Sequence, residues 1–311
     1  MRGARPLTYL KQLARLTVTM NKLPVAKQAA IIRALTEGCS IRATGRMVGV
    51  SKDTVTKLLV EFGEFASIYQ DHRLRQLNTQ RVEADEIWSF VGAKQRNATK
   101  RGQGDLWTWT ALDADSKLMI TWLVGPRTAE SADAIMLDLR DRLNDRIQLT
   151  TDGFGVYYNA VANAWHWKTK GIDFAQVVKE YGRDPNFAPQ EAHRRYSPAI
   201  CTSAQKNVVF GDPDVTKIST SYAERANLSM RMGIRRFTRL TNAFSKKAQN
   251  HAYAVSVFYF IYNFARPHGT LTKAAKVIKT TPAMAAGLTD HVWTVEEMLG
   301  LMDPTRVLQS N

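Results

Sequence analysis

The chain has 311 residues, with 43 Lys and Arg against 28 Asp and Glu, and its formal net charge is +15 at pH 7. Its length and its apolar fraction of 44% predict a globular protein of two domains and exclude a disordered chain. The positive charge favours a polyanionic partner such as nucleic acid. The two cysteines form no Cys-x-x-Cys pair, which argues against a structural zinc finger.

The N-terminal part of the chain has the pattern of a DNA-binding domain. Residues 1–20 hold four basic residues and no acid, and are interpreted as a basic arm that touches phosphate or as a disordered start. Residues 21–66 have the apolar spacing of three helices, with a turn at Gly49 before the third. This plan is typical of a helix-turn-helix and also of small bundles without a ligand, but the charge favours DNA. The predicted DNA contacts are Lys52, Thr54, Thr56 and Lys57.

A second domain follows a polar stretch, residues 67–80, that is interpreted as a linker. From residue 81 the apolar period changes from that of helices to that of strands. Strands are predicted at 81–91, 106–112, 118–124, 147–151 and 174–179, and helices at 130–143, 154–162, 220–237 and 250–264. These elements predict an α/β domain over 81–270, a mixed five-stranded sheet flanked by helices, with 163–220 as an insertion or loops. Residues 271–311 form a C-terminal tail.

The apolar runs and the start of the chain bear on where the protein acts. The most apolar run, 252–265, is too short to span a bilayer. Residues 1–20 lack the continuous apolar segment of a signal peptide. We therefore expect no membrane partner and a cytoplasmic protein.

Three acids stand out from their surroundings. Asp85 lies within strand 81–91, Asp152 follows strand 147–151, and Glu224 lies early in helix 220–237. Residues 221–280 contain eleven Lys and Arg but one acid, Glu224. Cleavage of a phosphodiester requires charge neutralisation at both the attacking and the leaving oxygen, and two Mg²⁺ ions held by carboxylates supply it. The three acids therefore predict a metal-dependent enzyme that acts on phosphodiesters.

Residues near two of these acids bear on the site. Arg231 follows Glu224 by seven residues, nearly two helical turns, and so shares its helix face. An arginine there is suited to bind the DNA backbone that the metal attacks, although a Glu–Arg pair is also typical of a surface helix. On the first strand, Glu83 shares the face of Asp85 and Glu86 takes the other face.

Four segments resemble the signature blocks of transposases of the insertion sequence 1 family. They are Asp85–Val91, Thr151–Gly153, Tyr222–Arg231 and Arg235–Lys247. The resemblance covers about residues 25–290 and implies an RNase H-like catalytic domain. It also implies a DDE triad of Asp85, Asp152 and Glu224 that binds Mg²⁺, with Mn²⁺ able to substitute, and it places Arg231 in the family's basic position. Glu86 then acts behind the ligands or has a structural role.

The resemblance implies a reaction and its partners. The helix-turn-helix would bind terminal inverted repeats of double-stranded DNA, and water would free a 3′-OH that then attacks target DNA without a nucleotide cofactor. Two element ends must be joined together, which predicts a homodimer or a larger synaptic oligomer. The phosphate contacts implied beyond the triad are Arg231, Arg235, Arg236, Arg239, Lys246 and Lys247.

Two other functions remain open at this stage. One is a DNA-binding regulator that derives from a transposase and has lost catalysis. The other is a nuclease of the same fold that acts on RNA–DNA hybrids or junctions. Mg²⁺-dependent strand cleavage separates the first from a transposase, and strand-transfer products separate the second.

Overall fold

The computed structural model describes residues 22–165, 171–182, 200–238, 241–276 and 278–302. The predicted basic arm, parts of the predicted insertion and tail, and Arg239 lie outside the described residues. The strands are β1 (Arg81–Val91), β2 (Gly104–Asp113), β3 (Met119–Gly125), β4 (Ile147–Asp152), β5 (Ile172–Gly182) and β6 (Ile200–Phe210). The helices are α1 (Val25–Thr36), α2 (Ile41–Val48), α3 (Lys52–Arg73), α4 (Ala129–Arg142), α5 (Val156–Trp165), α6 (Ser221–Gly233), α7 (Ala248–Phe264), α8 (Gly269–Ala274), α9 (Pro282–Ala285) and α10 (Val295–Gly300).

The three helices predicted before residue 67 are present. The hydroxyl of Ser51 caps α3 by accepting a hydrogen bond from the Thr54 N–H at 3.1 Å. Gly49 ends α2 with φ at +70°, a backbone conformation that glycine adopts without steric cost. The third helix is longer than predicted and runs through the start of the predicted linker to Arg73. Its additional turns pack on α7, where the buried Gln70 amide donates to the Ser256 carbonyl oxygen.

The sheet contains six strands in the order β3-β2-β1-β4-β5-β6. β1 pairs antiparallel with β2 and parallel with β4, so it lies at the centre of the sheet. The prediction of five strands was wrong, because β6 lies within the segment interpreted as loops. β6 has no apolar alternation and most of its described side chains are exposed. Its strand form depends on backbone pairing with β5, which no side-chain pattern reveals.

The predicted helix 220–237 is shorter than expected. α6 ends at Gly233, and a 3-10 turn, Arg235–Phe237, follows. A side chain at Gly233 would meet the Phe258 ring, with a Cβ only 2.4 Å from its Cε2 atom. α6 thus ends at a residue that lies close against α7.

One hydrophobic cluster joins the N-terminal helices to the sheet domain. Phe62 of α3 packs against Phe260 of α7 with ring centroids 5.9 Å apart. Gly63 lies against Tyr253, where a Cβ would approach the Tyr253 Cβ to 2.5 Å. The third N-terminal helix, α3, is thus packed directly on α7. Over the described residues, no helix combines the length and apolar character that crossing a bilayer requires.

His251 of α7 lies fully buried between two serines. Its Nδ1 is 2.8 Å from the Ser245 hydroxyl and its Nε2 is 3.2 Å from the Ser89 hydroxyl. Burial, and secondarily the charge of Arg236, lowers the pKa of His251 to about 3. The imidazole therefore folds in its neutral form.

Acid should destabilise the protein partly through His251. Its folded pKa is below the unfolded value, so its contribution to stability is present above pH ~6.5 and is lost as pH falls towards ~3. We expect a loss of up to about 1.4 kcal/mol per pH unit across this range, measured by urea unfolding. His251→Asn should unfold with a shallower pH dependence. An identical slope in both proteins would show that His251 does not titrate on unfolding.

Candidate active site

Two of the three predicted acids meet at the centre of the sheet. Parallel pairing aligns Glu83 of β1 with Thr150 of β4, and Asp85 and Asp152 each follow two residues later. β4 ends at Asp152, which therefore lies beside the middle of β1. Carboxylate oxygens of Asp85, Glu86 and Asp152 all lie within 4.8 Å of one another. The fold thus assembles an acidic cluster from residues that are far apart in the sequence.

The electrostatics of the acidic cluster oppose full ionisation. Burial, followed by the charges of Glu86, Asp152 and Glu224, raises the pKa of Asp85 to about 7. Burial is also the largest cause of the raised pKa of Glu86 and of Asp152. Three close carboxylates with raised pKa values form a site that a multivalent cation would stabilise.

Glu86 reaches the acidic cluster from the opposite face of β1. Its Oε1 accepts a hydrogen bond from the Arg127 Nε at 2.9 Å, and its Oε2 accepts one from the Tyr157 hydroxyl at 2.9 Å. The guanidinium of Arg127 in turn stacks on the Phe154 ring, 3.8 Å from its centroid. Both oxygens of Glu86 are therefore engaged within the protein.

Glu224 lies beside the acidic cluster but is not part of it. Its carboxylate forms an ion pair with Lys179 of β5 and accepts a hydrogen bond from the Thr220 hydroxyl at 2.7 Å. Its charge nevertheless contributes to the raised pKa values of Asp85 and Asp152. Glu224 therefore interacts electrostatically with the acidic cluster while a lysine holds its carboxylate.

The helix that carries Glu224 is fixed to β1 by two side chains. Glu83 accepts hydrogen bonds from the backbone N–H groups of Tyr222 (2.7 Å) and Ala223 (2.9 Å), and so caps the first turn of α6. One turn beyond Glu224, the Asn227 amide donates to the Asp85 carboxylate at 2.8 Å. These contacts set the position of Glu224 relative to Asp85.

Removing the Glu83 carboxylate should destabilise α6. Glu83→Ala leaves one buried and one part-buried N–H group without an acceptor, and we expect a loss of about 2 kcal/mol in the free energy of unfolding. Glu83→Gln keeps one acceptor oxygen and should lose less. Urea unfolding of the two variants and the wild type measures the difference. Equal stability of all three would mean that water satisfies these groups.

The predicted DNA contacts fall into two groups. Lys52 and Thr56 of α3 line the same groove as the cations that follow α6, which are Arg235, Arg236, Lys246 and Lys247. Thr54 and Lys57 do not line it, and the Lys57 ammonium lies 3.8 Å from Glu61. Arg236 is partly used inside the protein, where it donates to the Ser245 hydroxyl. Arg231 is half-buried on α6, and Arg239 lies outside the described residues.

Three residues of the site were not singled out from the sequence. Asn227 follows Glu224 by three residues, so helical spacing was sufficient to place it on the same face. Lys179 and Arg127 lie 45 and 41 residues from their acidic partners, and nothing local indicates either pairing.

Two comparisons connect this geometry with known proteins. Residues 80–183 match a family model described as IS1 transposase. The matched range contains Asp85, Glu86 and Asp152 and ends before Glu224. The chain is also 26% identical over 176 residues to the insertion element iso-IS1n protein InsB of Shigella dysenteriae. The matched region covers 57% of this chain and 91% of the relative.

Proposed function

We propose that the chain is a transposase of the IS1 family, which cleaves DNA at the ends of an insertion sequence and joins the freed 3′ ends to target DNA; the matches to the family model and to InsB support this proposal. The observation that carries the proposal is the acidic cluster of Asp85, Glu86 and Asp152 within the range that matches the family. Such a cluster suits phosphodiester chemistry because metal ions held by its carboxylates would neutralise the charge on the attacking and leaving oxygens.

The donor set fits a divalent metal. Carboxylate oxygens are the ligands that Mg²⁺ and Mn²⁺ prefer, and the raised pKa values of the acidic cluster would fall when a cation neutralises it. We assign Asp85 and Asp152 as ligands, with Glu224 as the third acid of the DDE triad. Bound there, Mg²⁺ would activate the attacking oxygen and stabilise the leaving one.

The surrounding residues hold the ligands and the DNA. Arg127 and Tyr157 retain Glu86 behind the ligands, and Asn227 orients the Asp85 carboxylate. Lys179 forms an ion pair with the Glu224 carboxylate beside Asp85 and Asp152. Arg231 lies further along the Glu224 helix, where it is suited to bind a phosphate near the reacting one.

The architecture suits this role. The strand order β3-β2-β1-β4-β5, with β1 antiparallel to β2 and parallel to β4, supports an RNase H-like catalytic domain. The helices α1 to α3 would recognise the terminal inverted repeats as a helix-turn-helix. Because two ends are joined, we expect the active species to be a dimer or a larger oligomer.

The test is a joining assay with purified protein, Mg²⁺, supercoiled target DNA and a duplex that carries the element's own end. We expect cleavage at the element end and covalent joining of its 3′ strand to the target. Binding without cleavage or joining would favour the regulator instead, and cleavage of RNA–DNA hybrids without joining would favour the nuclease. Replacing Mg²⁺ with EDTA should stop the reaction and leave DNA binding intact.

A further inference from the structure

A groove of about 650 Å³ separates the helix-turn-helix from the segment that follows α6. Six cationic side chains line this basic groove: Arg42, Lys52, Arg235, Arg236, Lys246 and Lys247. Among the described residues of its lining, Asp53 is the one acid. The groove therefore concentrates positive charge from two parts of the chain that lie about 190 residues apart in sequence.

Most of this charge has no internal partner. None of the six cations forms an ion pair with a carboxylate of the described residues, although many other lysines and arginines do. Arg236 differs because burial lowers its pKa to about 10 and its guanidinium donates to the Asn250 carbonyl oxygen. Close cations without counter-charges repel one another, and a polyanion in the groove would relieve that repulsion.

Direct contacts next to the basic groove join its two walls. The Gly38 N–H of one wall donates to the Gly233 carbonyl oxygen of the other at 2.9 Å. Arg266, which follows α7, forms an ion pair with Glu37 and donates to the Thr36 carbonyl oxygen at 3.2 Å. Together with the packing of α3 on α7, these contacts keep the walls in register.

The basic groove continues towards the acidic cluster. A second cavity of about 430 Å³ shares Arg236, Thr241 and Asn242 with the groove. Its lining reaches Trp88, three residues after Asp85 on β1, and includes Lys94. The surface thus leads from the helix-turn-helix to the strand that carries the first predicted metal ligand.

We propose that the basic groove binds one sugar–phosphate backbone of duplex DNA, with Arg42 and Lys52 on one wall and Lys246 and Lys247 on the other contacting the same duplex. This inference rests on the proposed function and adds how the DNA is held. The guanidinium of arginine and the ammonium group of lysine bind phosphate oxygens well because both are positively charged hydrogen-bond donors. End recognition and catalysis then share one composite surface, and Arg42 joins the phosphate contacts.

The test measures DNA binding without metal, so it does not depend on cleavage. A short random-sequence duplex is titrated with protein in EDTA across a range of salt concentrations. Each phosphate contact contributes about 0.9 to the slope of log affinity against log salt. Arg42→Ala and Lys246→Ala should each lower the slope by about one and the double variant by about two, in complexes of one duplex per chain.

The matched control is Lys273→Ala with Lys279→Ala, which removes two exposed cations outside the groove. It should leave the slope unchanged, and melting temperatures should confirm that all variants are folded. A slope that stays at the wild-type value in the groove variants would overturn the proposal. So would two duplexes bound per chain, each lost with a different variant, or tighter binding of an RNA duplex. If the groove variants behave as expected but the wild type joins no DNA, the groove stands and the proposed function fails.

Discussion

Asp85→Asn is expected to abolish Mg²⁺-dependent cleavage and joining, with a loss of at least about 10³-fold. Metal-ion stabilisation of a phosphodiester transition state is worth several kcal/mol, and each ~1.4 kcal/mol corresponds to a factor of ten in rate. The amide has nearly the same shape as the carboxylate and keeps an acceptor for the Glu86 N–H or the Asn227 amide. The loss therefore reports the missing charge and metal ligand, and the joining assay measures it.

The same variant should be more stable than the wild type when metal is absent. The pKa of Asp85 is raised from 3.8 to about 7 in the folded protein. Its contribution to the free energy of unfolding is therefore fully present below pH ~4, where the carboxyl is protonated, and is lost as pH rises through ~7. Above that pH the wild type carries a buried charge that Asn lacks. We expect a gain of roughly 2 kcal/mol, after allowing for one lost hydrogen bond. Mg²⁺ should then stabilise the wild type and not the variant.

Asp113→Asn provides a matched control. Asp113 is also a buried acid of the sheet, at the end of β2, but its carboxylate accepts from the Ser116 hydroxyl in a hairpin turn. This control should keep joining activity and its response to Mg²⁺. Joining by Asp85→Asn at the wild-type rate would remove Asp85 from the metal site. An equal loss in the control would mean that the assay reports folding.

Glu224→Gln and Glu86→Gln are expected to separate the third metal ligand from a neighbouring structural acid. Glu224→Gln should lower joining by about 10²- to 10³-fold and weaken stabilisation by Mg²⁺, because it removes a ligand charge. Glu86→Gln should retain much more activity, since the oxygens of Glu86 already serve Arg127 and Tyr157 and its amide still offers an acceptor. Joining rates and melting temperatures with and without Mg²⁺ or Mn²⁺ measure both effects.

The reverse pattern would identify Glu86 as the third ligand. It is the acid that lies within 4.8 Å of both Asp85 and Asp152, whereas the Glu224 carboxylate is paired with Lys179. If both variants lose activity, the variant that loses more of its stabilisation by Mg²⁺ identifies the third ligand. Circular dichroism of the metal-free proteins shows whether either change disturbs the fold.

Local patterns in the sequence were sufficient for most of the architecture. Alternation of apolar residues located β1 to β4, and helical spacing located α1 to α5 and α7, because burial of one face imposes a period of 2 or 3.6. The same reasoning failed at β6, whose side chains are mostly exposed, and at the end of α6, where Gly233 meets Phe258. Both were decided by partners distant in the chain.

The candidate site divides in the same way. The sequence by itself determined that Asp85 lies within a strand, that Asp152 ends one, and that Glu224 begins a helix in a basic stretch. Only the tertiary structure brought Glu86 into the acidic cluster, paired Glu224 with Lys179, and set Arg42 and Lys52 opposite Lys246 and Lys247. A residue's local period determines which face it occupies, but the contacts across elements depend on how those faces pack, and packing is a property of the whole chain.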